Sequence, residues 1–238
     1  PDLCHSSVVK VQPAPKHANY GVSSACGSSN LLEYFGYKFT NDIDELKRSL
    51  DRANICFMHA PLFHPAMKNV APIRKELGVK TFFNMLGPMV NPSFPKRQLV
   101  GVFSLELARM YGYLYQNTDK DFVIVHSIDG YDEVSLTGPF KYFYNGGEKI
   151  TAPRDIGLPQ LTYQDIKGGN TVEESATVFM NVLQGKGTLA QNAAVVANAG
   201  MSIYAGHQEQ GMGKAMERAK EALESGKAFD AFKKLLQS

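Results

Sequence analysis

The stretch from Asp121 to Gly138, Asp-Phe-Val-Ile-Val-His-Ser-Ile-Asp-Gly-Tyr-Asp-Glu-Val-Ser-Leu-Thr-Gly, constrains the fold most. Phe122 to Val125 is a short, unbroken apolar run rich in β-branched residues, the pattern of a strand buried on both faces of a parallel sheet. The residues after it are polar and acidic. Ligands of open α/β sheets bind beyond the carboxyl ends of strands, so His126, Asp129, Asp132 and Glu133 fall where chemistry is expected. Adjacent carboxylates repel, and the Asp132-Glu133 pair is most easily held ionised by a cation such as Mg²⁺ that also carries substrate phosphates. A solvated acidic turn accounts for the same residues, because such turns commonly follow strands.

The rest of the chain alternates strands and helices around that stretch. Ser7 to Gln12 reads as a strand, and Pro13-Ala-Pro15 then stops any central ladder. Residues 16 to 36 pass from a Ser- and Gly-rich loop into a short helix with Leu31, Leu32 and Phe35 on one face, ending at Gly36. Ser23, Ser24, Gly27 and Ser28 thereby lie at a helix start, where free N–H groups favour an anion and Lys16 adds a full charge. Plain capping, with Asn30 and Glu33 taking part, explains the same serines.

Asp42 to Asn54 is an amphipathic helix with an acidic first turn, and Ile55 to Met58 a buried strand. Pro61, Pro65 and Pro72 break residues 59 to 78 into short helical pieces. His59 and His64, separated by proline, read as polar wall or surface residues rather than a zinc pair. Arg74 beside Ile73 and Leu77 is either a structural arginine or a clamp for a carboxylate, which its planar fork suits. Thr81 to Asn84 is another strand, and Gly87, Pro88 and Pro92 make the next loop rigid and irregular. Leu99 to Phe103 and Leu105 to Gln116 give a further strand and helix. Phe140 to Lys149, around Asn145-Gly146-Gly147, is a hairpin. Four helices close the chain: one capped at Thr171 and running to Leu183, an almost wholly apolar one from Leu189 to Tyr204, then 213 to 225 and 228 to 236. The fold class is therefore α/β, a central, mostly parallel sheet flanked by helices.

Composition narrows the function. With 238 residues, 44% of them hydrophobic and 20% charged, the chain can bury a full core in one large domain. A net charge of +2 without a long Lys/Arg run leaves no electrostatic footprint for nucleic acid or membrane. Cys4, Cys26 and Cys56 form neither a CxxC pair nor a disulfide framework. No apolar run reaches membrane-spanning length and Pro1 to Lys10 has no signal-peptide pattern, so a cytoplasmic location is expected.

Several segments together resemble the anthranilate phosphoribosyltransferases, which join anthranilate to a phosphoribosyl group in tryptophan biosynthesis. Lys16-His17-Ala18-Asn19 is similar to the family's Lys-His-Gly-Asn motif, and Ser23-Ser24-Ala25-Cys26-Gly27-Ser28 to its Ser-rich pyrophosphate loop. The segments from His64 to Arg74, from Asn84 to Pro92 and from His126 to Glu133 match in order and spacing. Ala18 replaces a motif glycine and Cys26 a usual serine. The family's first helices, its Gly-Thr-Gly-Gly-Asp loop and its Asn-x-Ser-Thr motif do not occur in these 238 residues.

The resemblance implies that Asp132 and Glu133 hold Mg²⁺ on the pyrophosphate of phosphoribosyl pyrophosphate. Lys16, Asn19, Ser23, Ser24 and Ser28 would contact its phosphates and ribose. Arg74 would grip the anthranilate carboxylate, with His64, Met67 and Pro88 lining its channel. Residues 1–238 would be mainly the large α/β domain, and the helical pieces near 61–77 a remnant that packs on the smaller helical domain, through which the full-length protein dimerises. A nucleoside phosphorylase-like enzyme and a catalytically silent homologue with a binding role are the alternatives.

Overall fold

The computed structural model describes residues 14–18, 26–64 and 87–237. The expected strands Ser7 to Gln12 and Thr81 to Asn84 lie outside them, as do Asn19, Ser23, Ser24, Met67 and Arg74. Elements carry numbers in chain order among the described residues.

Strands β1 (Ala14–Ala18) and β2 (Ile55–His59) pair in parallel, Lys16 opposite Phe57. Between them run α1 (Ser28–Tyr34) and α2 (Ile43–Ala53), and α3 (Ala60–Phe63) follows. Pro15 sits within β1 opposite Cys56, so residues 16–18, expected in a loop, form a strand, though not a central one among the described residues. A proline costs a strand one donor, which a strand with a single neighbour tolerates, and among the described residues β1 pairs with β2 alone. Lys16 is accordingly a strand residue rather than part of a loop.

A second sheet has the order β3-β4-β5-β6, from β3 (Arg97–Gly101), β4 (Asp121–Ser127), β5 (Phe140–Tyr144) and β6 (Gly147–Thr151). β3 and β4 are parallel, joined by α4 (Leu105–Tyr115), whereas β4-β5 and β5-β6 are antiparallel. The α/β class holds, but this sheet is mixed rather than mostly parallel. The cause is the hairpin, which pairs its first strand with the edge of β4 and carries its second outside that, instead of standing apart. Asn145 at its tip secures the arrangement: its side chain accepts from the Phe122 N–H at 2.9 Å and donates to the Lys120 carbonyl at 2.8 Å.

β4 is covered on both faces, as its apolar run requires. Phe122 and Ile124 pack with Tyr111 and Ala108 of α4, while Val123 and Val125 belong to the larger core on the other side. That core centres on α6 (Leu189–Gly206), whose residues from Ala193 to Ala205 are nearly all buried, and it is completed by α5 (Val172–Leu183), α7 (Met212–Glu224) and α8 (Lys227–Leu236). Small residues on α6 admit a close neighbour: a Cβ built on Gly200 would stand 2.3 Å from Met216 Sδ of α7. Helix ends follow local chemistry. Asp42 accepts from the Asp44 and Glu45 N–H groups at 2.8 and 3.0 Å, and Asn54 closes α2 in the left-handed conformation. Among the described residues no helix is long and apolar enough to cross a membrane.

Burial, the leading cause in each case, pushes the phenols of Tyr37, Tyr115 and Tyr204 up to about 12 from their usual value near 10. An unfolded chain releases those protons near pH 10 while the folded chain holds them, so their contribution to stability is intact below pH 10 and is lost as pH rises towards 12. Calorimetric melting temperatures are expected to fall steeply across that window. A Tm that stays level from about pH 10 to about pH 12 would contradict the burial of these rings.

Candidate functional site

β4 delivers the chain to the acidic loop, and several of the backbone groups there are committed. The Ser127 N–H donates to the Tyr131 carbonyl at 3.0 Å, and Gly130, at φ +100°, donates to the Ser127 carbonyl at 2.9 Å. The Ser127 hydroxyl donates to the Glu133 carbonyl and accepts from the Ser135 N–H at 3.2 Å. Next to it, Val134 is held on both sides by one buried amide: its N–H donates to Asn198 Oδ1, and Asn198 Nδ2 donates to its carbonyl, each at 2.9 Å. Leu136 is fully buried with φ 61°, a left-handed conformation that costs a residue with a Cβ about 1–2 kcal/mol. Surrounding contacts therefore fix this loop's shape against the chain's own preference.

The two residues proposed to hold a metal differ in setting: Asp132 is exposed and Glu133 half-buried. Asp132 is located by its backbone, because its carbonyl oxygen lies where a Cβ on Gly101 would stand, 1.7 Å from that position. Only glycine at the end of β3 admits the loop so closely. The adjoining Tyr131 phenol is pushed up, first by burial and then by the neighbouring Asp129, Tyr163 and Glu133.

His126 and Asp129 prove to be structural. His126 is buried in β4, its Nδ1 donating to the Val102 carbonyl at 2.9 Å, which ties the end of β3 to β4. Asp129 accepts from the Ser135 hydroxyl at 3.3 Å and from the Thr137 hydroxyl, so it closes the loop on itself. The carboxylates put forward for a cation are thus two, and among the described residues no group of three or more His, Cys, Asp or Glu side chains converges. That donor set fits Mg²⁺, which keeps several waters and binds through one or two carboxylates plus substrate phosphates rather than in an all-protein cage.

The other candidates gather around β1, β2 and α1. Lys16 is half-buried in β1. Ser28 is the first residue of α1, where the Gly27 N–H donates to Asn30 Oδ1 at 3.0 Å, the local cap expected of Asn30. Ser29 lies within 3.2 Å of His59 Nδ1, and the His59 ring stacks on Phe39 at 4.4 Å, so the start of α1 is pinned to the end of β2. His59 is thus a buried strut rather than a wall or surface group, and burial holds its pKa below the usual value. His64 follows α3, half-buried, its N–H donating to the Ala60 carbonyl at 2.9 Å. Pro88 belongs to a 3₁₀ turn, Gly87–Val90, whose Met89 and Val90 are exposed.

Asn198, Ser127 and Gly101 did not stand out from the sequence. The signal for Asn198 was present: it is the one polar amide inside Ala193-Ala-Val-Val-Ala-Asn-Ala-Gly-Met201.

Comparison with known proteins agrees with this geometry. The family model for the glycosyl transferase family, a/b domain, matches residues 9–229. Anthranilate phosphoribosyltransferase of Christiangramia forsetii is 62% identical over 220 residues, covering 92% of this chain and 66% of that protein. The enzyme of the same name from Flavobacterium psychrophilum is 60% identical over 222 residues, covering 93% and 67%. The crystal structure of anthranilate phosphoribosyltransferase from Thermus thermophilus superposes with a TM-score of 0.90 at 30% identity, over 99% of this chain and 73% of that one. The Saccharomyces cerevisiae enzyme in complex with PRPP and Mg gives 0.87 at 26% identity, over 99% and 67%. The chain thus spans about two thirds of the length of the curated relatives it matches. From residues 9 to 229 the model match, the identities and the shared fold concur, and the chain belongs to the anthranilate phosphoribosyltransferase family.

Proposed function

We propose that this chain transfers the phosphoribosyl group of phosphoribosyl pyrophosphate to anthranilate, yielding N-(5'-phosphoribosyl)anthranilate and pyrophosphate in tryptophan biosynthesis. The observation that carries the reading is the rigid acidic loop after β4, which presents Asp132 and Glu133 at the carboxyl end of a buried strand. It is supported by the S. cerevisiae relative, solved with PRPP and Mg.

In this reading Asp132 and Glu133 hold Mg²⁺, which when bound neutralises charge on the departing pyrophosphate. Lys16 supplies a fixed positive charge, and Asn19, Ser23, Ser24 and Ser28 supply donors to the phosphates and ribose. Arg74 takes the anthranilate carboxylate through its fork, with His64, Met67 and Pro88 as channel walls. Ionisation at the anomeric carbon leaves an oxocarbenium-like centre, so these side chains act by stabilising leaving-group charge and by holding the amine in line. The aromatic amine is already nucleophilic, and no side chain is assigned as a general base. The 238 residues act mainly as the large α/β domain, with 61–77 facing a smaller helical domain, and the protein works as a cytoplasmic homodimer without nucleic acid or membrane.

The test is formation of phosphoribosylanthranilate by the purified protein with Mg²⁺. Phosphorolysis of a nucleoside in place of that product would overturn the reading. Arg74→Ala is expected to raise the anthranilate KM by about 10–100-fold, as loss of a charge-assisted pair would, and to leave the KM for phosphoribosyl pyrophosphate within about twofold. Equal effects on both substrates would remove Arg74 from its role.

A further inference from the structure

The buried amide on α6 calls for an explanation that packing does not supply. Asn198 is 4% exposed among residues such as Ala194, Val195, Ala197 and Met201, where an apolar side chain would pack without the cost of stripping water from an amide. Its polar atoms are all used, and two of its three bonds go to a single residue of the acidic loop. Oδ1 accepts from the Val134 N–H at 2.9 Å; Nδ2 donates to the Val134 carbonyl at 2.9 Å and to the Ala194 carbonyl at 3.0 Å. The amide can face only one way, since the N–H needs an acceptor and the two carbonyls need donors. The Ala194 bond, one turn back on the same helix, holds the side chain in place independently of the loop.

The effect falls on the neighbouring acids. Val134 directly follows Glu133, whose own carbonyl accepts from the Ser127 hydroxyl, and the Asp132 carbonyl is seated over Gly101. Three consecutive peptides are therefore fixed from three directions: by β3, by β4 and by α6. Of these supports Asn198 alone comes from the helical layer, reaching the loop from a buried position on α6. We infer that Asn198 is a positioning residue for the metal-holding pair, tying the backbone beside Glu133 to α6 so that Asp132 and Glu133 meet a divalent cation already oriented. This rests on the reading of Asp132 and Glu133 as the metal ligands. Residues that orient metal ligands typically change metal affinity about 10–100-fold when removed.

The experiment titrates Mn²⁺ into the protein with phosphoribosyl pyrophosphate present and follows free Mn²⁺ by electron paramagnetic resonance, alongside melting temperature. Four variants are compared: Asn198→Leu, Asn198→Asp, Met201→Ala as a packing control on the same helix, and Asp132→Asn. Asn198→Leu is expected to weaken Mn²⁺ binding about tenfold or more, and Asn198→Asp, which keeps the acceptor for Val134 but loses both donors, at least about threefold. Met201→Ala should lower Tm and leave Mn²⁺ affinity within about twofold. Unchanged affinity in Asn198→Leu, or an equal loss in Met201→Ala, overturns the inference. Should Asn198→Leu not fold, Asn198→Asp decides alone, with an unchanged affinity overturning it. Asp132→Asn separates the two levels: if it too leaves Mn²⁺ binding unchanged, the assignment of the acid pair has failed, whereas a loss there with none at Asn198 defeats only the positioning role.

Discussion

Asp132→Asn is expected to lower kcat/KM for phosphoribosyl transfer by on the order of 10²–10³-fold, a loss of about 3–4 kcal/mol of transition-state stabilisation. The amide keeps the shape of the carboxylate and removes its charge, so cation binding suffers while the loop remains. Its backbone seat over Gly101 is independent of the side chain, and the melting temperature should therefore move by no more than about 2 °C. Steady-state kinetics over a Mg²⁺ series checks this. A variant that saturates at the wild-type Mg²⁺ concentration with unchanged kcat/KM would contradict the assignment.

Gly101→Ala is expected to destabilise the protein by about 2–3 kcal/mol and to impair Mg²⁺ use as well. The added Cβ would stand 1.7 Å from the Asp132 carbonyl oxygen and 2.9 Å from its carbon, both backbone atoms that no rotamer change can move aside. Either the loop lifts from the end of β3 or β3 shifts against β4, and both routes displace the acid pair. Chemical denaturation measures the first effect and the Mg²⁺ requirement the second. A stable variant with normal Mg²⁺ dependence would show that the close approach is unimportant. The contrast with Asp132→Asn is informative: one variant strips charge and spares the frame, the other moves the frame and spares the charge.

Much of the architecture was legible because local chemistry and burial pointed the same way. The α2 boundaries follow from Asp42 and Asn54, the α5 start from Thr171, and the α6 burial from an unbroken run of small apolar residues. β4 announced itself through Phe122 to Val125, and the structure covers both of its faces. The mixed sheet was not legible, since a hairpin signal specifies its own turn and says nothing of the strand it joins; the Asn145 bonds to Phe122 and Lys120 that make the choice are long-range. Pro15 agrees with its exclusion from a central ladder, since among the described residues β1 has one neighbour; that Lys16 to Ala18 join a strand was hidden because pairing is a tertiary property.

The candidate site divides in the same manner. Asp132 and Glu133 could be picked out from charge, adjacency and position after a strand. Asp129 and His126 carry equally suggestive side chains, yet one is consumed by Ser135 and Thr137 and the other by the Val102 carbonyl. Sequence supplies the inventory of polar groups but not their partners. Asn198 shows the converse, since it lies 64 residues from the loop it holds and only the folded chain brings the two together.

The central claim is that the acid pair beyond β4 receives a divalent cation carried by phosphoribosyl pyrophosphate. Anomalous diffraction from crystals grown with Mn²⁺ and phosphoribosyl pyrophosphate tests it most directly. A peak within coordination distance of the Asp132 and Glu133 carboxylates is expected, with the substrate's pyrophosphate beside it. A well-occupied metal and substrate elsewhere on the molecule, with neither carboxylate in contact, would contradict it.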